Sequence, residues 1–208
     1  QFKQTVLQTL RAPLETGTVT LSRAGRTTTF PARFQLLMAL NSCPCGNLGA
    51  DGKVCTCMPA VVEQYWKKLT APLIDRIDLR IPVFPPQSYE LPEKACYDTA
   101  DMRKKIAASD MLQRERYAAY HPGTQLSYKN VHLTPSALSA LCPLTSEAER
   151  IFTHNAEKKE LSGRGSHAVL KIARTIADLA QEEIISTAHI EEAIRLREWS
   201  SFLPFFMH

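Results

Sequence analysis

The chain has 208 residues, 44% hydrophobic and 22% charged, an ordinary globular composition long enough for one good core or two smaller ones. No apolar run reaches the roughly 18 residues of a membrane span, and the opening residues form a lysine-containing amphipathic stretch rather than the apolar core of a signal peptide. The expectation is a cytoplasmic protein with no membrane partner. Its net charge of +4 lies wholly in residues 1–90, where ten Lys/Arg face six Asp/Glu, whereas residues 91–208 hold fifteen of each. Such a surplus suits nucleotide phosphates, a neighbouring subunit or DNA, and a solvated surface carries it equally well.

In chain order, residues 2–14 read as a helix with Val6, Leu7 and Leu10 on one side, beginning so abruptly that earlier context is expected to be missing. Residues 19–22 and 27–30 are short β-rich runs around Arg23-Ala-Gly-Arg26, the pattern of a hairpin whose tip carries Arg23 and Arg26. Residues 34–40 form a continuous apolar run, read as a buried strand ending at Asn41. A cysteine-rich loop follows to Met58, Pro59 starts a helix through Leu69, and residues 77–83 alternate as a second strand of the same sheet. Pro82, Pro85, Pro86 and Pro92 mark a linker, after which the pattern turns helical.

The first of these later helices covers residues 99–120, ending near His121-Pro122. The second is capped by Thr134 with Pro135 at its first position and Leu133 and Leu138 as a hydrophobic staple. A third spans 146–159. The fourth, 162–182, has a stripe of Val169, Ala173, Ile176, Ala177 and Ala180, and a last helix is read with Thr187 as its cap. The apolar tail at 199–208 is too short to cross a bilayer. The domain reading is an α/β portion at 1–85, a linker at 86–97, a helical domain at 98–200 and the tail at 201–208.

Four of the six cysteines occur as Cys43-Pro-Cys45 and Cys55-Thr-Cys57 around a loop containing Gly46, Gly49 and Gly52. Four thiolates converging tetrahedrally suit zinc, and a closed four-cysteine site has no open position for catalysis, so it would staple the loop. The Cys-x-Cys spacing is tighter than the usual knuckle, so ordinary loop thiols and iron–sulfur ligation stay open; a disulfide framework needs an oxidising compartment that nothing here signals. Cys96 and Cys142 lie in helical surroundings and read as small buried side chains.

The segment Phe34-Gln-Leu-Leu-Met-Ala-Leu-Asn-Ser-Cys-Pro-Cys-Gly46 resembles the sensor 1 strand and following loop of magnesium-chelatase-like AAA+ ATPases, in the competence-related branch. Thr70-Ala-Pro-Leu-Ile-Asp-Arg-Ile-Asp-Leu79 resembles that family's arginine-finger segment. The run Leu161-Ser-Gly-Arg-Gly-Ser-His-Ala-Val-Leu-Lys-Ile-Ala-Arg-Thr-Ile-Ala-Asp-Leu179 resembles its sensor 2 helix, and Leu10-Arg-Ala-Pro-Leu-Glu15 the helix after the Walker B strand. The fold this implies is α/β plus α: an incomplete AAA+ α/β core followed by an all-helical lid bundle.

The same resemblance assigns roles. Asn41 becomes sensor 1, an amide able to orient water against a terminal phosphate. Arg76 becomes the arginine finger, whose fork of donors acts on the adjacent subunit's nucleotide, although Asp75 and Asp78 beside it offer a plain surface pairing instead. Arg164 becomes sensor 2, facing phosphate from the first turn of a helix. Arg174, ten residues on, points elsewhere and reads as a bundle or interdomain contact, and His167 has no role. No Gly-x-x-x-x-Gly-Lys-Ser/Thr and no Walker B strand occur in the sequence. The resemblance places both before Gln1, so this chain alone is expected not to hydrolyse ATP.

The function expected of the full-length protein is that of an ATP- and magnesium-dependent motor, assembled as a homo-oligomeric ring and acting on DNA, with a structural zinc. The alternatives are a magnesium chelatase motor subunit and a non-catalytic zinc-stapled module that binds nucleic acid or protein.

Overall fold

The computed structural model describes residues 2–50, 52–83, 98–120, 129–158 and 161–198. The linker expected at 86–97, Cys96, the helix stop at His121-Pro122 and the apolar tail lie outside the described residues. Two compact units are present: one holds residues up to Ile77 together with the described part of 82–85, and the other holds Asp78–Ile81 and the helices from Thr99 onward. The first is a mixed α/β region and the second is all helical.

In the first unit the expected single opening helix is two, α1 (Gln4–Thr9) and α2 (Arg11–Thr16). Pro13 is the cause: it has no N–H to give the Thr9 carbonyl, so the ladder breaks at Leu10 although Leu10 keeps helical angles, φ −69° and ψ −19°. Gly17, at φ 66°, ends α2 and accepts a hydrogen bond from the Ala32 amide (2.7 Å). The chain then enters β1 (Thr18–Arg23) and returns in β2 (Arg26–Pro31) as an antiparallel hairpin, in register from Thr18 opposite Pro31 to Arg23 opposite Arg26. Ala24 and Gly25 both have positive φ, 48° and 76°, the two-residue turn that matches the strands' own twist.

Residues 34–40 and 77–83 are not strands. They run without ladder partners, and most of their apolar side chains are open to solvent, Leu37 at 88% and Val83 at 89%, with Leu36, Met38 and Ile77 half-buried. A buried strand needs neighbours on both edges, and among the described residues the only sheet is the hairpin. The helices α3 (Pro59–Trp66) and α4 (Ala71–Ile74) complete the unit, each with proline in its first turn. Its buried apolar set is small: Leu7, Val62, Leu73 and Cys43.

The second unit has the larger core. Helices α5 (Thr99–Tyr120), α6 (Pro135–Leu141), α7 (Ser146–Lys158), α8 (Gly163–Leu179) and α9 (Thr187–Arg195) surround Val169, Ala173 and Ala177 of α8, with Tyr117, Leu138, Ile185 and Ile190 packed into the same cluster. The cap read at α6 is present, Thr134 Oγ1 accepting from the Ala137 amide (3.3 Å), whereas Ser162, read as the first residue of α8, is instead its cap, its Oγ accepting from the Gly165 amide (2.9 Å). At α9 the cap is Ser186, not Thr187, because the Ser186 N–H donates to His189 Nδ1 at 3.1 Å and closes a capping box. α8 ends three residues earlier than expected. Gln181 turns left-handed at φ 61° and the Glu182 amide reaches back to the Ala177 carbonyl (2.9 Å).

Candidate functional site

The two cysteine pairs converge. Cys43, Cys45, Cys55 and Cys57 place their sulfurs within 4.8 Å of one another, with Cys43 to Cys45 at 3.3 Å, Cys43 to Cys55 at 3.6 Å and Cys45 to Cys55 at 3.7 Å. A tetrahedral zinc bonded at about 2.3 Å requires sulfurs about 3.8 Å apart, so the donor set fits one such ion. None of the four is in a disulfide, and thiolates this close surround a single ion rather than a multi-iron cluster.

The loop builds this site from local backbone. Gly46, at φ 80°, turns the chain after Cys45, and Gly49 and Gly52, also at positive φ, fold the return toward Cys55. Backbone amides then set the charge on sulfur. The Asn47 amide, then Cys43 and the Thr56 amide, draw Cys45 down to about 6. At Cys55 a bond from the Cys57 amide is outweighed by desolvation and the neighbouring sulfurs, which push it up to about 12. The backbone amides thus favour the thiolate at Cys45, the form that binds zinc. Cys142 is different: burial in the helical unit pushes it up to about 11, an inert thiol.

Asn41 sits two residues before this cluster, exposed and outside any strand. Its carbonyl accepts from the Tyr65 hydroxyl (3.1 Å), and the Ser42 carbonyl accepts from Trp66 Nε1 (3.0 Å), so α3 holds the lead into the cysteine loop. Arg76 follows α4. It does not pair with Asp75 or Asp78; its Nη1 donates to the Pro72 carbonyl (2.6 Å) and its Nη2 to Glu15 of α2. Glu15 is a partner that sequence reading missed, since 61 residues separate the two. Arg23 and Arg26 are both exposed at the hairpin tip, directly opposite each other.

In the helical unit Arg164 lies half-buried in the first turn of α8. Lys171 on the same helix is pulled below its ordinary range by burial, against the opposing pull of Asp78, with Arg164 adding to the shift. Buried Arg197 reaches the Asp78 carboxylate at 3.6 Å and also lies beside Gly165, so a second arginine joins the α8 start that the sequence pattern did not single out. Arg174 is fully buried in the bundle as Asp178's partner, matching the bundle-contact reading.

Comparison with known proteins supplies kinship. Residues 1–91 match the family described as magnesium chelatase, subunit ChlI, and residues 97–197 match magnesium chelatase, subunit ChlI C-terminal. The chain is 33% identical over 200 residues to the competence protein ComM of Haemophilus influenzae, covering 95% of this chain and 37% of ComM. It is 32% identical over 199 residues to YifB of Escherichia coli, with the same coverage of each chain. The chain thus spans little more than a third of the relatives it matches.

Proposed function

Because the chain belongs to the magnesium-chelatase-like AAA+ family and matches the ComM and YifB branch, we propose that it is the zinc-stapled, C-terminal portion of an ATP-driven ring motor. The observation that carries this reading is the four-sulfur cluster within 4.8 Å, set in the loop that follows Asn41. Zinc bound there would be closed by four thiolates and would hold the loop without chemistry of its own. Among the described residues only this cluster gathers three or more side chains able to share an ion. Magnesium prefers oxygen ligands, so the magnesium of Mg-ATP would be held by phosphate and by residues elsewhere in the full-length protein.

The chain's own contribution to hydrolysis would be positional. The Asn41 amide has both a donor and an acceptor for a water opposite the terminal phosphate. The Arg76 guanidinium would neutralise charge developing on the phosphoryl group bound to the adjacent subunit. Arg164 would face phosphate from the α8 amino-terminus. Full-length protein in which Arg76→Ala leaves ATP turnover intact would remove the finger role, and full-length protein with no ATP turnover at all would remove the motor and leave a zinc-stapled interaction module.

A DNA substrate is supported by the exposed Arg23 and Arg26 at a hairpin tip and by the competence name that ComM carries, and the alternative of a magnesium chelatase motor by the names of both matching families. Turnover stimulated by DNA separates this motor from one that drives magnesium insertion. For the staple, native mass measurement should find one zinc per chain, lost with chelator and in Cys43→Ser. Metal-free native protein with unchanged folding would refute it.

A further inference from the structure

The segment bearing Arg76 is fastened to the first two helices at three points. Gln4 Nε2 donates to the Lys67 carbonyl (3.2 Å), Gln8 Nε2 donates to Thr70 Oγ1 (2.7 Å), and Arg76 pairs with Glu15. Positions 4, 8 and 15 recur at helical spacing, so one side of α1 and α2 acts as a rail along residues 67–76. The first two bonds are neutral and fix position. The third places a carboxylate on the guanidinium that the proposed motor needs.

The pair does not look like a structural ion pair of this chain. Where such a pair exists, at Asp178, the carboxylate is fully buried and accepts from Arg116, Arg174 and Asn130 together. Glu15 is half exposed, at 50%, against 13% for Arg76, and it meets the guanidinium through one oxygen. Arg76 Nε is buried with no partner. The resting pose therefore leaves a buried donor unmatched, whereas phosphate offers several oxygens and more charge.

We propose that Glu15 is a positioning residue for Arg76: it parks the guanidinium on its own subunit, and Arg76 engages a neighbouring phosphate only by exchanging the Glu15 oxygen for phosphate oxygens. This rests on Arg76 acting in trans. Exchange in place of simple capture makes engagement depend on a ligand that outcompetes a carboxylate, so the finger stays withdrawn until a nucleotide-loaded neighbour is present.

The test uses full-length protein without DNA, with ATP turnover followed against enzyme concentration for wild type, Glu15→Gln, Glu15→Asp and Arg76→Ala. Removing the competitor should lower the enzyme concentration for half-maximal turnover by about two- to fivefold, the scale of a partly exposed ion pair, with the plateau rate kept. Added salt should shrink the gap between wild type and Glu15→Gln as it screens the pair, and the gain shown by the neutral variant at low salt is a direction that loss of a merely structural contact would not give. Glu15→Asp keeps the charge one methylene short and should fall between the two; it also serves if Glu15→Gln fails to assemble. Loss of turnover in Arg76→Ala beside unchanged concentration dependence in both Glu15 variants overturns the parking role and leaves the finger. A Glu15→Gln plateau as low as that of Arg76→Ala overturns it too, since Glu15 would then be needed for engagement. Full turnover in Arg76→Ala overturns the finger and the parking role together.

Discussion

At the scale of single residues, Asp178 organises the helical unit. Its fully buried carboxylate takes both terminal nitrogens of half-buried Arg116, Nε of buried Arg174 at 3.0 Å and Nδ2 of buried Asn130 at 2.8 Å. Arg174 carries the charge onward, since its remaining nitrogens donate to the Glu182 and Glu183 carbonyls just past the end of α8. Removing one partner strands the others, and a buried charge without a counter-ion costs far more than the intact pair contributes. Asp178→Ala should lose about 3–5 kcal/mol, read as a lower urea midpoint at unchanged slope. A loss below about 1 kcal/mol, the value of a surface pair, would show that water reaches Arg174.

At the scale of elements the hairpin is the most exposed piece. Every residue of β2 is open to solvent, and its rungs are hydroxyl pairs, Thr20 to Thr29 at 3.1 Å and Ser22 to Thr27 at 3.0 Å. Two strands alone bury too little to be stable by apolar area, so the turn geometry at Ala24-Gly25 and the closure at Gly17 must hold the shape. What the element offers is two guanidinium groups carried clear of the body. For DNA bound through phosphates, replacing both by alanine should weaken binding across sequences and flatten the slope of log K against log salt by about 2. Filter-binding or anisotropy titrations at several salt concentrations check this, and an unchanged slope would take the hairpin out of the DNA interface.

For the whole molecule, the isolated chain should show no ATP turnover in a coupled assay, because no phosphate-cradling loop is encoded in it; measurable turnover would require a nucleotide site built from these residues alone. Much of the fold was legible in advance. The 3.6-residue stripe of α8, the Thr134-Pro135 start of α6 and the Arg23-Ala-Gly-Arg26 turn are local signals, and local signals determine helices and hairpins. Residues 34–40 read as a strand because their apolar run is that of a buried strand, yet a ladder is a property of two segments, and no partner stands beside them among the described residues. The cysteine cluster could be read from spacing because a loop of nine residues, three of them glycine, joins the two pairs. Glu15 could not, because its tie to Arg76 depends on how α2 lies along a segment 61 positions away.

The cysteine loop and α3 meet at one point on the backbone. Tyr65 and Trp66 clasp the carbonyls of Asn41 and Ser42, and Cys43 follows at once, fully enclosed. An ion shared by Cys43 and Cys57 would therefore splint the chain on both sides of a short bight, tying the residue before the bight to the helix after it. Stripping that ion, by chelation or by oxidising the sulfurs, would slacken the anchorage of Asn41 from a distance, so that metal supply and thiol chemistry would both govern how firmly that amide is held.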